Sequence, residues 1–350
     1  MNSGAGGFDS HALPPFRSAV TSRAITIRSY QPGDEAQILA AFDEVFSAVD
    51  PSFEARPPEL WRWRFARNPA GQRISLALDD EGRVLAQYAG APQLARLAGE
   101  RSTFTQGIDS FARSEVRSLG RRGLFVRTGE HFATNFGGRL GEGDPWMWGF
   151  PVRSARRIGE RYLGYEPLRE QLALVLDGAP MDAEESPGEV REIDDPGPEF
   201  DAFFETQASR FGALAERDAR ALRWRYIDHP VHAYRLAQYR DAGGTLRGFA
   251  VFAIRDFDGC RVGLLCDWLV EPEACAPLVN WAASLADRAG GLALVAILPP
   301  WCEEFDQLQD LGFRARRSPL FLVGRSYDRR FRPDFWAREW YYTIGDSDLC

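Results

Sequence analysis

The 350-residue sequence predicts a mixed α/β (α+β) protein built from two similar domains in tandem. One set of landmarks occurs twice along the chain in the same order, and each copy alternates between strand-like and helix-like periodicity. A segment rich in acidic residues, proline and glycine separates the two copies. We therefore expect domains at 24–178 and 190–326, joined by a linker at 179–189.

Each copy opens with a strand, a turn and an amphipathic helix. The stretches are ITIRSYQPGDEAQILAAFDEVF and GEVREIDDPGPEFDAFFETQASRF. In the first copy the apolar residues Ile38, Leu39, Phe42, Val45 and Phe46 recur at helical spacing. The segments LWRWRFARNP and LRWRYIDHP follow, and in both of them tryptophan and a second aromatic residue precede a proline.

The remaining landmarks of each copy also keep their order. A meander of strands leads to a strand that carries an aspartate, Asp109 in TFTQGIDSFA and Asp267 in RVGLLCDWLV. A helix, a strand (WMWGF or LALVAIL) and a short helix ending in LGY or LGF come next. The final strands, QLALVLD and PLFLVGR, are each expected to close their own half.

Composition excludes several classes of function. No apolar run is long enough to cross a bilayer, and the formal net charge of −8 argues against broad nucleic-acid binding. All 42 basic residues are arginines, which rules out lysine Schiff-base chemistry. The cysteine and histidine spacings match no metal site, and the odd number of cysteines, five, favours reduced thiols in the cytoplasm. Residues 1–23 lack signal-peptide features and are expected to be a flexible leader.

The landmarks around Asp109, RSLGRRGLF, WMWGFP and LGY together resemble the GNAT superfamily of acyl-CoA-dependent N-acyltransferases, in tandem over residues 24–326. The resemblance implies that each half is a twisted, mostly antiparallel sheet flanked by helices, splayed between its fourth and fifth strands. Acetyl-CoA or another acyl-CoA is the implied donor, with its pantetheine arm in the splay. The implied acceptor is the amine of a small molecule, and we expect no metal, nucleic acid or membrane partner and a monomer or homodimer.

The stretch RSLGRRGLFVRTGEHFATNF is the candidate phosphate site. Backbone N–H groups at a helix start lack intrahelical partners and attract anions, and arginines beside them can bind phosphate. The family loop begins with Gln or Arg and ends with a small residue, whereas this chain has Gly120 and Phe125 at those positions. Its predicted donor-binding residues are Gly120, Arg121, Arg122, Gly123, Leu124 and Phe125. The second copy has VEPEACAPLVNW here, without glycine or arginine at the turn, and is not expected to bind CoA.

The resemblance also assigns chemical roles. Backbone N–H groups around Phe111, Ala112 and Arg113 are the implied donors to the thioester oxygen. Asp109 is a candidate base or amine anchor, although an aspartate shared by both copies also fits a structural role. The proton donor to the leaving thiolate is a tyrosine in the family, but Glu160 stands at that position, with Tyr162 two residues later as a substitute.

Two aromatic segments leave alternatives open. Trp146 and Trp148 alternate on one face of a strand and form either core packing or an aromatic wall for the acceptor. The tail at 327–350 is rich in aromatic residues and is expected to dock on the body. Its Asp346 and Asp348 either bind the amine or are solvated acids.

Two rival functions remain. The altered loop is compatible with an acyl donor carried on a protein rather than on free CoA. The glutamate in place of the family tyrosine is compatible with a non-catalytic protein that binds an acyl-CoA or a partner.

Overall fold

The computed structural model describes residues 24–50, 53–116, 123–177 and 187–350. Within these ranges fourteen strands form one continuous sheet, accompanied by nine α-helices. The helices are α1 Glu35–Ser47, α2 Pro58–Trp61, α3 Leu124–Phe136, α4 Arg153–Tyr162, α5 Glu199–Ala208, α6 Ala219–Leu222, α7 Pro272–Arg288, α8 Glu303–Asp310 and α9 Pro333–Glu339. The strands are β1 Thr26–Ser29, β2 Arg73–Leu78, β3 Val84–Leu97, β4 Glu100–Ala112, β5 Trp146–Gly149, β6 Glu166–Leu176, β7 Glu189–Ile193, β8 Ala213–Ala215, β9 Arg235–Arg240, β10 Leu246–Phe257, β11 Cys260–Val270, β12 Leu294–Ala296, β13 Arg314–Ser326 and β14 Trp340–Tyr341. Residues 1–23 and most of the expected linker lie outside the described ranges.

The two halves repeat one order of elements. The series β1 to β6, with α1 to α4, corresponds to the series β7 to β13, with α5 to α8; β8 is an addition of the second half. The two tryptophan-arginine segments both form five-residue π-helical turns, Arg62–Ala66 and Arg223–Ile227. Such turns are rare and often occur at functional sites.

The closing strands are exchanged between the halves. The strand order is β1-β2-β3-β4-β5-β13-β6-β12-β11-β10-β9-β7, so β13 pairs with β5 and β6 pairs with β12. The expectation that QLALVLD and PLFLVGR close their own halves is therefore wrong. The exchange places both apolar strands in the middle of one sheet and leaves no free edge between the halves.

A single large hydrophobic core runs through both halves. It joins Trp146 and Leu174 of the first half to Phe249 and Leu264 of the second. A smaller core lies between α1 and the first strands and includes Phe42. Because both halves contribute to the large core, neither half buries its apolar surface alone.

The chain after β13 packs back onto the body. Trp336 is fully buried and stacks on Trp146, with ring centroids 4.2 Å apart and planes at 8°. β14 pairs in parallel with β8, which in turn pairs with the far end of β3. These contacts bring the last residues of the chain, including Asp346 and Asp348, against β3 and β4.

Candidate active site

A cleft opens where β4 and β5 part. The two strands are parallel and pair only between Phe104–Gln106 and Trp146–Trp148. Beyond this ladder β4 continues to Ala112 and, among the described strands, pairs with β3 alone. A small cavity of about 30 Å³ lies at the start of the gap and is lined by Gly107, Met147, Trp148, Gly149, Pro151, Tyr165, Val323 and Gly324. The splay expected between the fourth and fifth strands is thus present.

Two glycines keep this cleft narrow but open. The backbones approach closely here, since a Cβ on Gly149 would lie 3.2 Å from the carbonyl oxygen of Gly107. A Cβ on Gly107 would meet only the carbonyl oxygen of Trp148, at 3.7 Å, and would project into the cavity. A cleft whose walls are formed by backbone can accept a narrow, extended ligand and presents hydrogen-bonding groups to that ligand.

A β-bulge in β4 directs Asp109 away from the cleft. The register between β3 and β4 shifts between Gln87 and Ala89, and Asp109 has a φ of 51°. A left-handed conformation at a residue other than glycine costs on the order of 1 kcal/mol and persists only where neighbours hold it. Gln87 holds it here, because its Nε2 donates to the Asp109 carbonyl oxygen at 2.8 Å. The carboxylate forms an ion pair with Arg56 on the α1–α2 side of the sheet.

The three predicted donors at the end of β4 have different surroundings. The Arg113 N–H donates to the Leu85 carbonyl at 2.9 Å, and alternation along the strand then turns the Ala112 N–H away from β3. The Arg113 guanidinium is buried and donates to the Val84 carbonyl at 2.6 Å, so it is a structural group. The Phe111 side chain packs in the core beneath α1.

Helix α3 follows the end of β4, as predicted. Gly123 is its extended N-cap, and Leu124 and Phe125 form its first turn. Gly129 permits the predicted close packing, because a Cβ there would lie 2.9 Å from the Leu163 side chain. The predicted phosphate ligands Gly120, Arg121 and Arg122 lie outside the described residues.

The hydroxyl group at the cleft belongs to Tyr165. It lines the cavity and shares a hydrogen bond with the Tyr88 hydroxyl, and burial raises the pKa of Tyr165. Glu160 instead lies on the outer face of α4, paired with Arg156 at 2.7 Å, and Tyr162 packs at the end of that helix. Neither Glu160 nor Tyr162 lines the cavity, and the assignment of the proton donor to one of them stays a prediction. Tyr165 was visible in the sequence only as the last residue of LGY.

The two acidic residues of the tail have different environments. Asp346 is buried and binds Arg217, with Oδ2 2.6 Å from Nη2, and Arg217 also binds Asp267 at 2.9 Å. This network fixes the tail to β11, so Asp346 is engaged in structure rather than open to an acceptor. Asp348 is half-buried and accepts a hydrogen bond from Gln106 Nε2 at 2.7 Å. Gln106 precedes Gly107, so Asp348 lies beside the start of the cleft.

The two tryptophans of β5 are both buried. Trp146 is enclosed by Trp336 and by Gly324 of β13, where a Cβ would collide with the indole ring. Trp146 therefore lies in the core, which corresponds to the core-packing alternative. Trp148 packs on Trp340 with centroids 5.0 Å apart, and it also lines the cavity.

Two further classes of site receive no support from the described residues. Among them, no group of three or more histidine, cysteine, aspartate or glutamate side chains is arranged to hold a metal ion. No helix within the described ranges has both the length and the apolar character needed to span a membrane.

The fold is that of the GCN5-related N-acetyltransferases. The structure matches the GCN5-related N-acetyltransferase from Anabaena variabilis with a TM-score of 0.63 and 12% identity, over 87% of this chain and 73% of that chain. It matches a probable N-acyltransferase from Enterococcus faecalis V583 with a TM-score of 0.62 and 12% identity, over 87% of this chain and 73% of that chain. Saccharomyces cerevisiae N-myristoyltransferase with bound myristoyl-CoA matches with a TM-score of 0.54 and 12% identity, over 91% of this chain and 81% of that chain. No protein-family model and no curated protein sequence matches the chain. The predicted resemblance to the GNAT superfamily is confirmed as a likeness of fold.

Proposed function

We propose that the protein is an N-acyltransferase that moves an acyl group from an acyl-CoA to the amine of a small molecule by direct attack. The observation that carries the proposal is the glycine-walled cleft between β4 and β5, at the point where the GNAT fold is splayed. The acyl chain length is left open, and acetyl-CoA is the first donor to test. The donor-binding role falls to the first half of the chain, with β13 of the second half forming one wall.

Three groups of this chain fit the steps of acyl transfer. The edge of β4 that lies beyond its ladder with β5 is suited to hold the thioester oxygen as negative charge develops on it. Asp348 is suited to anchor the acceptor amine or accept its proton, because it is half-exposed beside Gln106. Tyr165 keeps its proton at neutral pH and is suited to donate it, or a hydrogen bond, to the departing thiolate.

In this proposal Asp109 has a positioning role. Its ion pair with Arg56 and its place in the bulge fix the shape of β4 on the acceptor side. The second half contributes β13 and the tail rather than a second donor site. The start of α3 at Gly123, Leu124 and Phe125, with the adjoining Gly120, Arg121 and Arg122, remains the proposed phosphate site.

A second candidate is an acyl donor bound to a carrier protein. A groove beside the cleft is lined by Arg153, Arg156 and Arg157 of α4, together with Glu160 and Glu170, and shares Pro151 with the cleft cavity. Arg153 and Arg157 are exposed. An exposed basic surface beside a pantetheine cleft is compatible with docking of an acidic carrier.

Donor binding distinguishes these functions. Thermal-shift and calorimetric titrations of the protein with acetyl-CoA, longer acyl-CoAs and free CoA should show stabilisation by at least one thioester. Gly107→Val, which projects into the cavity, should weaken that binding at least tenfold. Arg101→Val, at the exposed start of the same strand, should leave it unchanged.

Each remaining outcome has a distinct meaning. Binding of an acylated carrier protein without binding of any free thioester would favour the carrier-dependent enzyme. Tight binding without transfer to any of a broad panel of amines would favour a non-catalytic protein. If neither kind of donor binds, the acyl-transfer proposal is overturned.

A further inference from the structure

Arg64 is a buried cation without a counterion in contact. It lies in the first π-helical turn, only 9% of its surface is exposed, and its carbonyl oxygen accepts a hydrogen bond from Asn68 Nδ2 at 3.1 Å. Its guanidinium makes no hydrogen bond and no ion pair with any described residue. Withdrawing an unpaired guanidinium from water costs several kcal/mol. The described side chains therefore leave the positive charge of Arg64 without a counterion in contact.

Charged side chains of both signs lie near Arg64. They are two carboxylates and two further guanidinium groups, Asp109, Asp348, Arg56 and Arg225. Arg56 pairs with Asp109, while Arg225 donates only to the Ser347 carbonyl oxygen. Among the described residues, Arg64 is therefore the guanidinium of this group that has no partner in contact.

The location of this cluster indicates which ligand Arg64 would bind. Asp109 and Asp348 both lie at the Gln106–Asp109 stretch of β4, which borders the start of the cleft. They occupy the α1–α2 side of the sheet, whereas the donor phosphates are assigned to the beginning of α3. An anion bound by Arg64 therefore belongs to the acceptor.

We propose that the acceptor is a small amine that carries a carboxylate, as amino acids do, and that Arg64 binds this carboxylate. The inference rests on the proposed acyl transfer and narrows its acceptor. The planar guanidinium matches a carboxylate with two parallel hydrogen bonds. Asp348 then faces the ammonium group at the other end of the molecule.

The turn that carries Arg64 is fixed before any acceptor binds. The neighbouring Trp63 stacks on Trp224 of the second half, and its Nε1 donates to the Trp224 carbonyl oxygen at 2.9 Å. Asn68 holds the Arg64 backbone. Preorganisation of this kind lowers the entropic cost of binding.

The test compares matched ligands. Binding of the twenty amino acids to the full-length protein is measured by calorimetry, with and without free CoA, beside the amide and the decarboxylated amine of each amino acid. We expect at least one amino acid to bind, with its amide and its amine at least tenfold weaker. Equal binding of the three forms would overturn the proposal.

Variants assign the effect to Arg64. Arg64→Gln should weaken the amino acid at least tenfold and leave the affinity for acyl-CoA unchanged. Arg64→Lys, which keeps the charge without the planar fork, should fall between this variant and the wild type. Arg62→Gln is the matched control, because Arg62 lies in the same turn but is exposed and paired with Glu59, and it should bind as the wild type does. Unchanged amino-acid affinity in Arg64→Gln would contradict the assignment.

The two levels of the proposal fail separately. If amino acids bind in a manner that depends on Arg64 but no acyl donor binds, the acyltransferase proposal is overturned and the proposed carboxylate site is supported. Donor binding and transfer to amines regardless of a carboxylate would retain the acyltransferase and remove this inference.

Discussion

Trp63 and Trp224 hold the same position in the two halves of the chain and stack on each other, with ring centroids 4.9 Å apart and planes at 15°. The first indole also donates a hydrogen bond to the backbone of the second at 2.9 Å. The two copies of the repeated segment therefore contact each other directly, and each copy supplies one tryptophan of the stack. Arg64 and Arg225, which follow the two tryptophans, are brought close enough for their charges to interact.

Loss of this stack should destabilise the whole protein. Trp63 is buried, and truncation of a buried tryptophan to alanine costs about 3–5 kcal/mol. Trp63→Ala should therefore lower the free energy of unfolding measured in urea by an amount in this range. Trp63→Phe keeps an aromatic ring and should cost less. Trp281→Ala, at a half-exposed position, is the control and should have a clearly smaller effect; equal losses in Trp63→Ala and Trp281→Ala would contradict the importance of the stack.

His229 should make the stability depend on pH. Its ring lies 4.3 Å from that of Trp63, its Nδ1 accepts the His232 N–H at 3.0 Å, and burial lowers the pKa of His229 to about 3. The unfolded chain takes up a proton near pH 6.5, whereas the folded chain resists it down to about pH 3. The stabilisation is therefore complete above pH 6.5 and is lost as the pH falls towards 3. Urea midpoints measured from pH 8 to pH 4 should fall more steeply for the wild type than for His229→Asn, and parallel curves would rule out this contribution.

The exchanged strands should prevent either half from folding alone. Residues 24–177 lack β13, the neighbour of β5, and residues 187–350 lack β6, the neighbour of β12. Each fragment expressed separately should be insoluble or lack a cooperative unfolding transition. Co-expressed fragments should associate and unfold together, and full-length protein cut between residues 177 and 187 should remain one species on gel filtration. Independent cooperative folding of residues 24–177 would contradict the observed strand order.

Tyr165 should matter for turnover more than for donor binding. Tyr165→Phe removes the hydroxyl at the cleft, and loss of a general acid commonly costs 10²-fold or more. We expect kcat to fall about tenfold to a hundredfold, because water can replace part of the function, with little change in the KM for acyl-CoA. Tyr162→Phe is the control and should retain wild-type turnover. The opposite ranking of the two variants would restore Tyr162 as the proton donor.

The sequence predicted the repeat because periodicity and ordered landmarks are local signals. The Asp109 strand, the helix with Gly129 and the aromatic tail are all present at the predicted places. The exchange of β6 and β13 had no such signal, since both are apolar strands and their partners are chosen by contacts between distant parts of the chain. A strand pattern shows that an edge must be paired, but it does not show with which neighbour.

The site residues were harder to predict for a related reason. Asp346 and Asp348 are two positions apart, yet a 3₁₀ turn at Ile344–Asp346 buries the first against Arg217 and leaves the second beside Gln106. Arg62 and Arg64 differ as strongly, one exposed and one buried, within a single π-helical turn. Burial is a property of the assembled halves, so identical residue types in one short segment could not be told apart.

The exchange of β13 also affects when the protein can fold during translation. The last residue of β5 is made long before Ser326, the end of the strand that pairs with it, so at about 5–20 residues per second the edge of β5 waits roughly 10–35 seconds for its neighbour. During translation the first half therefore lacks one of its strand neighbours, and its folding is delayed until β13 has been synthesised. This protein should consequently depend on chaperones that shield nascent chains to a greater degree than proteins whose domains close one after another.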